Sequence, residues 1–88
     1  MKLIKLKPLE TDFLKKKCDS AILKKYLSDA HFDKKSSSLI LMLSKNDLEV
    51  ICDELSHFLM DRGIDENGEI NALGKQIDDL IDKFNHYE

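Results

Sequence analysis

Cysteine and arginine are scarce in this chain, and each shortage argues against a class of function. The 88 residues contain two cysteines, Cys18 and Cys52, and a single arginine, Arg62. Two widely separated cysteines form neither a CxxC metal clip nor a disulfide framework, so we expect reduced thiols. Arginine makes most of the bidentate contacts to phosphates and base edges, and its scarcity argues against nucleic-acid recognition.

Long apolar runs are absent as well. The longest uncharged apolar run, LILML at 39–43, is far shorter than the roughly 20 residues of a membrane-spanning helix. Lys2, Lys5 and Lys7 interrupt the start of the chain, where a signal peptide would need an uncharged stretch. These features predict a cytoplasmic protein that does not enter membranes.

Catalytic and metal-binding fingerprints are also missing, including GxSxG, HExxH and the Walker and dinucleotide motifs. Cys52 and His57 lie roughly 140° apart on a helix and do not face each other as a nucleophile and base should. Asp53, His57 and Asp61 recur at four-residue steps and could hold zinc weakly, but with no fourth ligand evident we interpret them as an exposed row of helix-stabilising pairs. We predict no enzymatic activity, no resident metal and no cofactor.

The composition is that of one globular domain spanning 1–88, with 42% hydrophobic and 35% charged residues. The charges are unevenly distributed along the chain. Residues 1–35 hold ten lysines against five acids, a formal charge of +5, whereas residues 36–88 hold four bases against twelve acids, a charge of −8. This asymmetry predicts an acidic C-terminal half that attracts a positively charged partner.

Two short segments have the character of strands. KLIKLK at 2–7 ends at Pro8, which suits a strand end or a helix start, and LILML at 39–43 is a continuous apolar run. The two could pair in a small sheet with an open edge. Residues 31–38, HFDKKSSS, have no periodicity and are predicted to be a loop.

Apolar residues at three- and four-residue steps predict helices over 9–30, 45–61 and 72–86. Thr11 or Asp12 could cap the first helix, which the CDS sequence at 18–20 could divide in two. Ser44, followed three residues later by Asp47, is a start signal for the second helix.

The end of the second helix and the start of the third are also marked in the sequence. Gly63 predicts a left-handed C-terminal stop, with Ile64 folding back on Leu59. Asn71 is a suitable N-cap for the last helix. We therefore predict a helix-dominated α+β domain with a C-terminal antiparallel helical hairpin and a short two-stranded sheet; the alternative is an all-α bundle.

The joint between the last two helices, DRGIDENGEINALG at 61–74, resembles a calcium-binding loop at its centre. If Gly68 holds the sixth position, Asp65 holds the third, but Gly63 and Gly74 replace the first ligand and the final bidentate acid. Glycine-containing turns with Asp and Asn are common for conformational reasons alone. The joint is therefore predicted to be a turn and not a metal site.

Carboxylates lie off the apolar stripes of the last two helices, so the hairpin should expose a broad negative surface. The alternative to a partner-binding surface is that these charged helix faces serve only solubility. The candidate partner-binding residues are Glu49, Asp53, Glu54, Asp78, Asp79 and Asp82.

Residues 43–85, LSKNDLEVICDELSHFLMDRGIDENGEINALGKQIDDLIDKFN, resemble small bacterial immunity proteins of the contact-dependent inhibition and polymorphic-toxin type. The similar features are the capped LSKNDLEVICDEL helix, the RGIDENGEINALG joint and the closing IDDLIDKFN. Size and acidity also resemble nuclease-colicin immunity proteins, although no motif matches and the lysine-rich first third departs from their pattern. The resemblance implies that the partner is a toxin encoded beside this protein.

The leading hypothesis is thus a cytoplasmic immunity or antitoxin protein that neutralises a basic toxin, for example a nuclease. Two alternatives belong to other classes. One is a small regulator that binds nucleic acid through the lysine-rich first helix, with lysines at 15, 16, 17, 24 and 25. The other is a homodimeric structural module.

Overall fold

The computed structural model describes residues 2–18 and 20–86, with only the backbone of His86. The described elements are four helices and three strands. In chain order they are β1 (Lys2–Leu6), α1 (Pro8–Lys17), α2 (Ala21–Ser28), β2 (His31–Asp33), β3 (Ser38–Leu43), α3 (Lys45–Arg62) and α4 (Ala72–His86). The predicted α+β class with a C-terminal helical hairpin is confirmed.

The sheet is antiparallel with the strand order β1-β3-β2. β1 pairs with β3 so that Ile4 lies opposite Leu41 and Leu6 lies opposite Leu39. Ile4, Leu6, Leu41 and Leu43 are buried, so one face of the β1–β3 pair points into the core. The predicted pairing of the first strand with the LILML segment is confirmed.

The prediction of a loop over 31–38 is wrong at both of its ends. His31–Asp33 forms β2 on the second edge of β3, and Ser38 already belongs to β3. Three residues are too few to show the alternation by which a strand is found in a sequence. The turn between β2 and β3 includes Ser37 with a φ of 55°.

The region predicted as one helix over 9–30 is divided at Cys18, as the CDS sequence allowed. The predicted caps Thr11 and Asp12 are wrong because α1 already begins at Pro8. The N–H of Lys7 donates to Oε1 of Glu10 at 2.9 Å and completes this start. The sequence did not reveal this hydrogen bond at the start of α1, because lysine is not a usual capping residue.

α3 begins as predicted. The Asp47 N–H donates to Ser44 Oγ at 3.1 Å, and the Ser44 N–H donates to Asp47 Oδ2 at 3.0 Å. Its end differs from the prediction, because Gly63 has a φ of −91° and is not left-handed. Ile64 forms an antiparallel bridge with Ile70 across the joint.

Asn71 joins the end of α3 to the start of α4, and its predicted capping role is confirmed. Its Oδ1 accepts the N–H of Gly74 at 2.8 Å, while its Nδ2 donates to the carbonyl of Arg62 at 2.9 Å. Its backbone N–H also donates to the Gly63 carbonyl at 2.9 Å. One side chain therefore satisfies free backbone groups at two helix ends.

Glycine at positions 63 and 74 is required by close approach of the backbone. A Cβ built at Gly74 would overlap the Gly63 carbonyl oxygen, and one built at Gly63 would lie 2.7 Å from the Gly74 Cα. Both residues are buried. The two helices of the hairpin thus meet with no side chain between them at the joint.

The core lies between the sheet and the helices and draws on all four helices and on β1 and β3. Within the described ranges, no helix has the length and apolar character needed to cross a membrane. The buried apolar residues are Ile4, Leu6, Leu14, Cys18, Leu23, Leu27, Leu41, Leu43, Leu48, Ile51, Leu55, Ile77, Leu80 and Phe84.

Replacing Gly74 by alanine should destabilise the domain by roughly 2–3 kcal/mol, because the new Cβ cannot fit against Gly63 without separating the helices. Gly68→Ala is the matched control. Gly68 has a φ of +80° but open space around it, so alanine there should cost only about 1 kcal/mol of backbone strain. Urea denaturation of both variants measures the difference, and equal losses would contradict the close-approach explanation.

Candidate functional site

Four of the six candidate acids lie on one face of the hairpin. The orientation of α3 and α4 is set by the Gly63–Gly74 contact and by the Cys52 Sγ–Asn85 Oδ1 hydrogen bond of 3.3 Å at the opposite end. At about 100° per residue, four of the acids project from the exposed side of the hairpin, off the buried apolar stripes of the two helices. These four exposed residues, which we name the acidic face, are Glu49, Asp53, Asp78 and Asp82.

Glu54 does not belong to this face. It is half-buried on the opposite flank of α3, where its Oε1 accepts a hydrogen bond from Ser20 Oγ at 3.1 Å. Ser20 also caps α2, since its Oγ accepts the N–H of Leu23 at 3.4 Å. Glu54 therefore holds α3 against the start of α2 and is less available to a partner than the sequence predicted.

Asp79 also lies elsewhere, on the flank of α4 that faces α1. It lines an open hollow of about 210 Å³ together with Leu9 and Phe13 of α1. On this same flank, Nζ of Lys83 donates to Oε1 of Glu10 at 2.6 Å. The six predicted acids are thus divided among three surfaces of the hairpin.

No ion pair or hydrogen bond within residues 2–18 and 20–86 engages the carboxylates of the acidic face. Basic side chains on the two helices lie toward the ends of this face, with Lys45 in the first turn of α3 and Lys75 in the first turn of α4. Lys2 and Lys45 line one hollow with Glu49 and Asp53, so positive charge lies beside the acids at this end of the face, although no ion pair among the described residues joins them.

Met60 was not singled out from the sequence, yet it lies on the acidic face with 71% of its surface exposed. It follows Asp53 by seven residues, two helical turns, so both project from the same side of α3. The sequence contained one indication that Met60 is exposed, because it lies roughly 140° around the helix from the buried Leu55.

The two cysteines are unsuited to nucleophilic chemistry. Burial raises the pKa of the Cys18 thiol to about 11, and it raises that of Cys52 as well, with the nearby Asp53 carboxylate adding to the effect. Because the thiolate is the reactive form, these raised pKa values lower the reactivity of both thiols near neutral pH.

A hollow of about 450 Å³ lies between α2, β3 and α3. Ile22, Met42 and Val50 contribute apolar surface to it. On its wall, Tyr26 Oη donates to Oδ1 of Asp47 at 2.8 Å. This hydrogen bond raises the pKa of Tyr26.

The joint uses its acidic and amide residues for its own structure. Oδ1 of Asp65 accepts the N–H groups of Asn67 and Glu69 at 2.9 and 3.0 Å, which closes the turn that contains Gly68. Across the described residues, no group of three or more His, Cys, Asp or Glu side chains is arranged to hold a metal ion. The row formed by Asp53, His57 and Asp61 is exposed.

The lysines proposed for nucleic-acid binding have a local structural role. Lys15, Lys16 and Lys17 occupy the last turn of α1, and Lys25 occupies that of α2. Positive charge in the last turn stabilises a helix through its dipole. Their positions are therefore explained without a bound phosphate.

No protein-family model, curated protein or solved structure matches this chain.

The pKa of Asp47 lies below its ordinary value of 3.8 because the Ser44 N–H and the Tyr26 O–H donate to its carboxylate. The stability that follows from this lowered pKa is present above pH 3.8 and is lost as the pH falls through the lower, folded-state pKa. Tyr26→Phe should raise the pKa of Asp47, as measured by NMR titration of its carboxyl carbon.

Ser36→Ala is the matched control for this titration. Ser36 Oγ donates to Asp33 Oδ2 at 2.8 Å and is the largest cause of the lowered pKa of Asp33. This variant should raise the pKa of Asp33 and leave Asp47 unchanged. An Asp47 titration that Tyr26→Phe does not move would contradict the assigned hydrogen bond.

Proposed function

We propose that this protein is an immunity or antitoxin protein that binds a positively charged toxin through the acidic face of the α3–α4 hairpin. The observation that carries the proposal is the set of four exposed carboxylates, Glu49, Asp53, Asp78 and Asp82, which form no ion pair among the described residues. The resemblance of residues 43–85 to bacterial immunity proteins supports it further. The protein acts by binding and not by catalysis, in the cytoplasm where the toxin would act.

A face of this kind favours fast and selective association. Exposed carboxylates grouped on one face attract a positively charged protein over several ångströms and raise the association rate. They also repel acidic proteins. A toxin that acts on nucleic acid needs lysines and arginines to hold phosphates. Carboxylates placed over those side chains would block the substrate, so occlusion of a basic active site is the inhibitory mechanism.

The hairpin is suited to presenting these charges because it is already ordered before the partner arrives. The Gly63–Gly74 contact, the Asn71 hydrogen bonds and the Ile64–Ile70 bridge hold the joint, and the Cys52–Asn85 hydrogen bond holds the far end. An ordered surface loses little conformational entropy on association, which improves affinity.

The test begins with co-expression of the protein with the products of the adjacent reading frames, followed by purification of any complex. Asp53→Lys/Asp78→Lys should slow association by about tenfold at low salt, because the steering charge is reversed. Stopped-flow or surface plasmon resonance measurements give the rates, and cell survival gives protection against the toxin.

Asp12→Lys/Asp79→Lys is the matched control, since it makes the same change in net charge and leaves the acidic face intact. Asp78 and Asp79 are neighbours on one helix but face different sides of the hairpin. Equal slowing by both double variants would refute this choice of face. A complex with DNA or RNA, or a concentration-dependent homodimer without a toxic partner, would refute the proposal in favour of the other two classes.

A further inference from the structure

Strand β3 is covered along only part of one edge. On one side β1 pairs with residues 39–43 of β3, whereas on the other side β2 pairs only with residues 38–40. Within the described ranges, no strand pairs with residues 41–43 on the side of β2. We name this stretch, 41–43, the open edge. The backbone groups along a strand edge are a template for another extended segment.

The hollow of about 450 Å³ between α2, β3 and α3 lies beside the open edge, and Leu41, Met42 and Leu43 all line it. Successive strand residues point to opposite faces of a sheet, and here Met42 is exposed while Leu41 and Leu43 are buried. A hollow that contacts all three residues lies next to the backbone and not over one face. Its described lining includes Asp29 and Ala30, which immediately precede β2, and no residue of β1, so the hollow lies on the side of β2.

Helices α2 and α3 give this hollow apolar walls. Ile22 of α2 is 42% exposed and Val50 of α3 is half-buried, and both line the hollow. In a strand that continued the line of β2, the side chains opposite Leu41 and Leu43 would point to the same face as these two buried residues. The side chain opposite Met42 would point to the outer face. The site therefore suits a segment with apolar side chains at alternate positions.

A carboxylate lies near each end of the open edge. Asp29 is exposed, lines the hollow and precedes the first residue of β2 by two positions. Because β2 begins where the open edge stops, Asp29 lies near the Leu41 end. Asp47 lies near the Leu43 end, because its Oδ2 accepts the N–H of Ser44 at 3.0 Å.

The charges of the lining favour one sign in a docked segment. Lys25 of α2 is the basic residue in the described lining, which holds the two carboxylates of Asp29 and Asp47 against this one ammonium group. The side chains at the two ends of a docked segment would lie near Asp29 and Asp47. Lysine or arginine is favoured at those ends, and aspartate or glutamate is repelled.

We propose that the open edge is a docking site for an extended segment of a partner protein, with apolar residues at alternate positions and lysine or arginine at its ends. The segment adds a strand to the sheet in line with β2. Main-chain hydrogen bonds hold it, and the hollow selects its side chains. Nucleic acid does not fit, because its phosphates would face Asp29 and Asp47. The inference does not rest on the proposed function, since neither residue belongs to the acidic face.

The test uses the synthetic peptide KVTVK with blocked ends as the probe. It should shift the backbone amide NMR signals of residues 41–43 and slow the hydrogen exchange of those whose N–H points to the open side, because a strand edge becomes paired. EVTVE is the matched control, which reverses only the end charges and should bind about tenfold more weakly. Asp29→Asn should reduce the difference between the two peptides by about threefold.

Ile22→Ala tests the contribution of the hollow. The variant removes part of an apolar wall and should weaken the binding of KVTVK by about fivefold. Ile70→Ala is the matched control, because Ile70 is 50% exposed but lies in the joint between α3 and α4. It should change the affinity by less than about twofold. The amide spectrum of each free variant shows whether it is folded.

The outcomes that would overturn the inference are distinct. Unshifted signals at 41–43 with KVTVK at millimolar concentration would exclude the docking site, and equal binding of EVTVE would exclude the assigned charge. Shifts confined to the acidic face would show a cation bound to its carboxylates without an added strand. Shifts at 41–43 that appear when the free protein is concentrated would make a second copy the occupant. The proposed function is tested separately by charge reversal on the acidic face, so either can fail alone.

Discussion

The direct contact between the backbones of Gly63 and Gly74 is the constraint on which the hairpin depends. It brings the end of α3 and the start of α4 together, and Asn71 then satisfies free backbone groups of both helices. From this point the helices run back antiparallel until Cys52 meets Asn85. The side chains that face the sheet and those that face solvent are determined by this alignment.

The acidic face is a consequence of how the hairpin is flanked. α2 lies beside α3 and takes up Glu54 through Ser20, while α1 lies beside α4 and takes up Lys83 through Glu10. Both outer flanks of the hairpin are thereby occupied by contacts within the protein. The four remaining carboxylates, those of the acidic face, are exposed to solvent.

Sequence patterns were reliable where the cause of a structure is local. Ser44 with Asp47 and Asn71 marked helix starts because a cap depends on residues within one turn, and the apolar stripes marked α3 and α4 because their period is repeated. β2 was missed because its three residues form a strand through pairing with β3 and are too few to show a pattern of their own. The cap of α1 was missed because Glu10 completes it from inside the helix.

By itself the sequence determined the helices, the pairing of the first strand with the LILML segment, the α+β class, the negative charge of the C-terminal half and the residues that could carry it. It could not assign the role of Gly63, since a glycine needed for φ and a glycine needed for close approach look the same in a sequence. Tertiary structure also separated the six acids and left Met60 exposed on the same side of α3 as Glu49 and Asp53. Such groupings depend on which helices become neighbours, and that is decided by packing between distant segments and not by the local period of the chain.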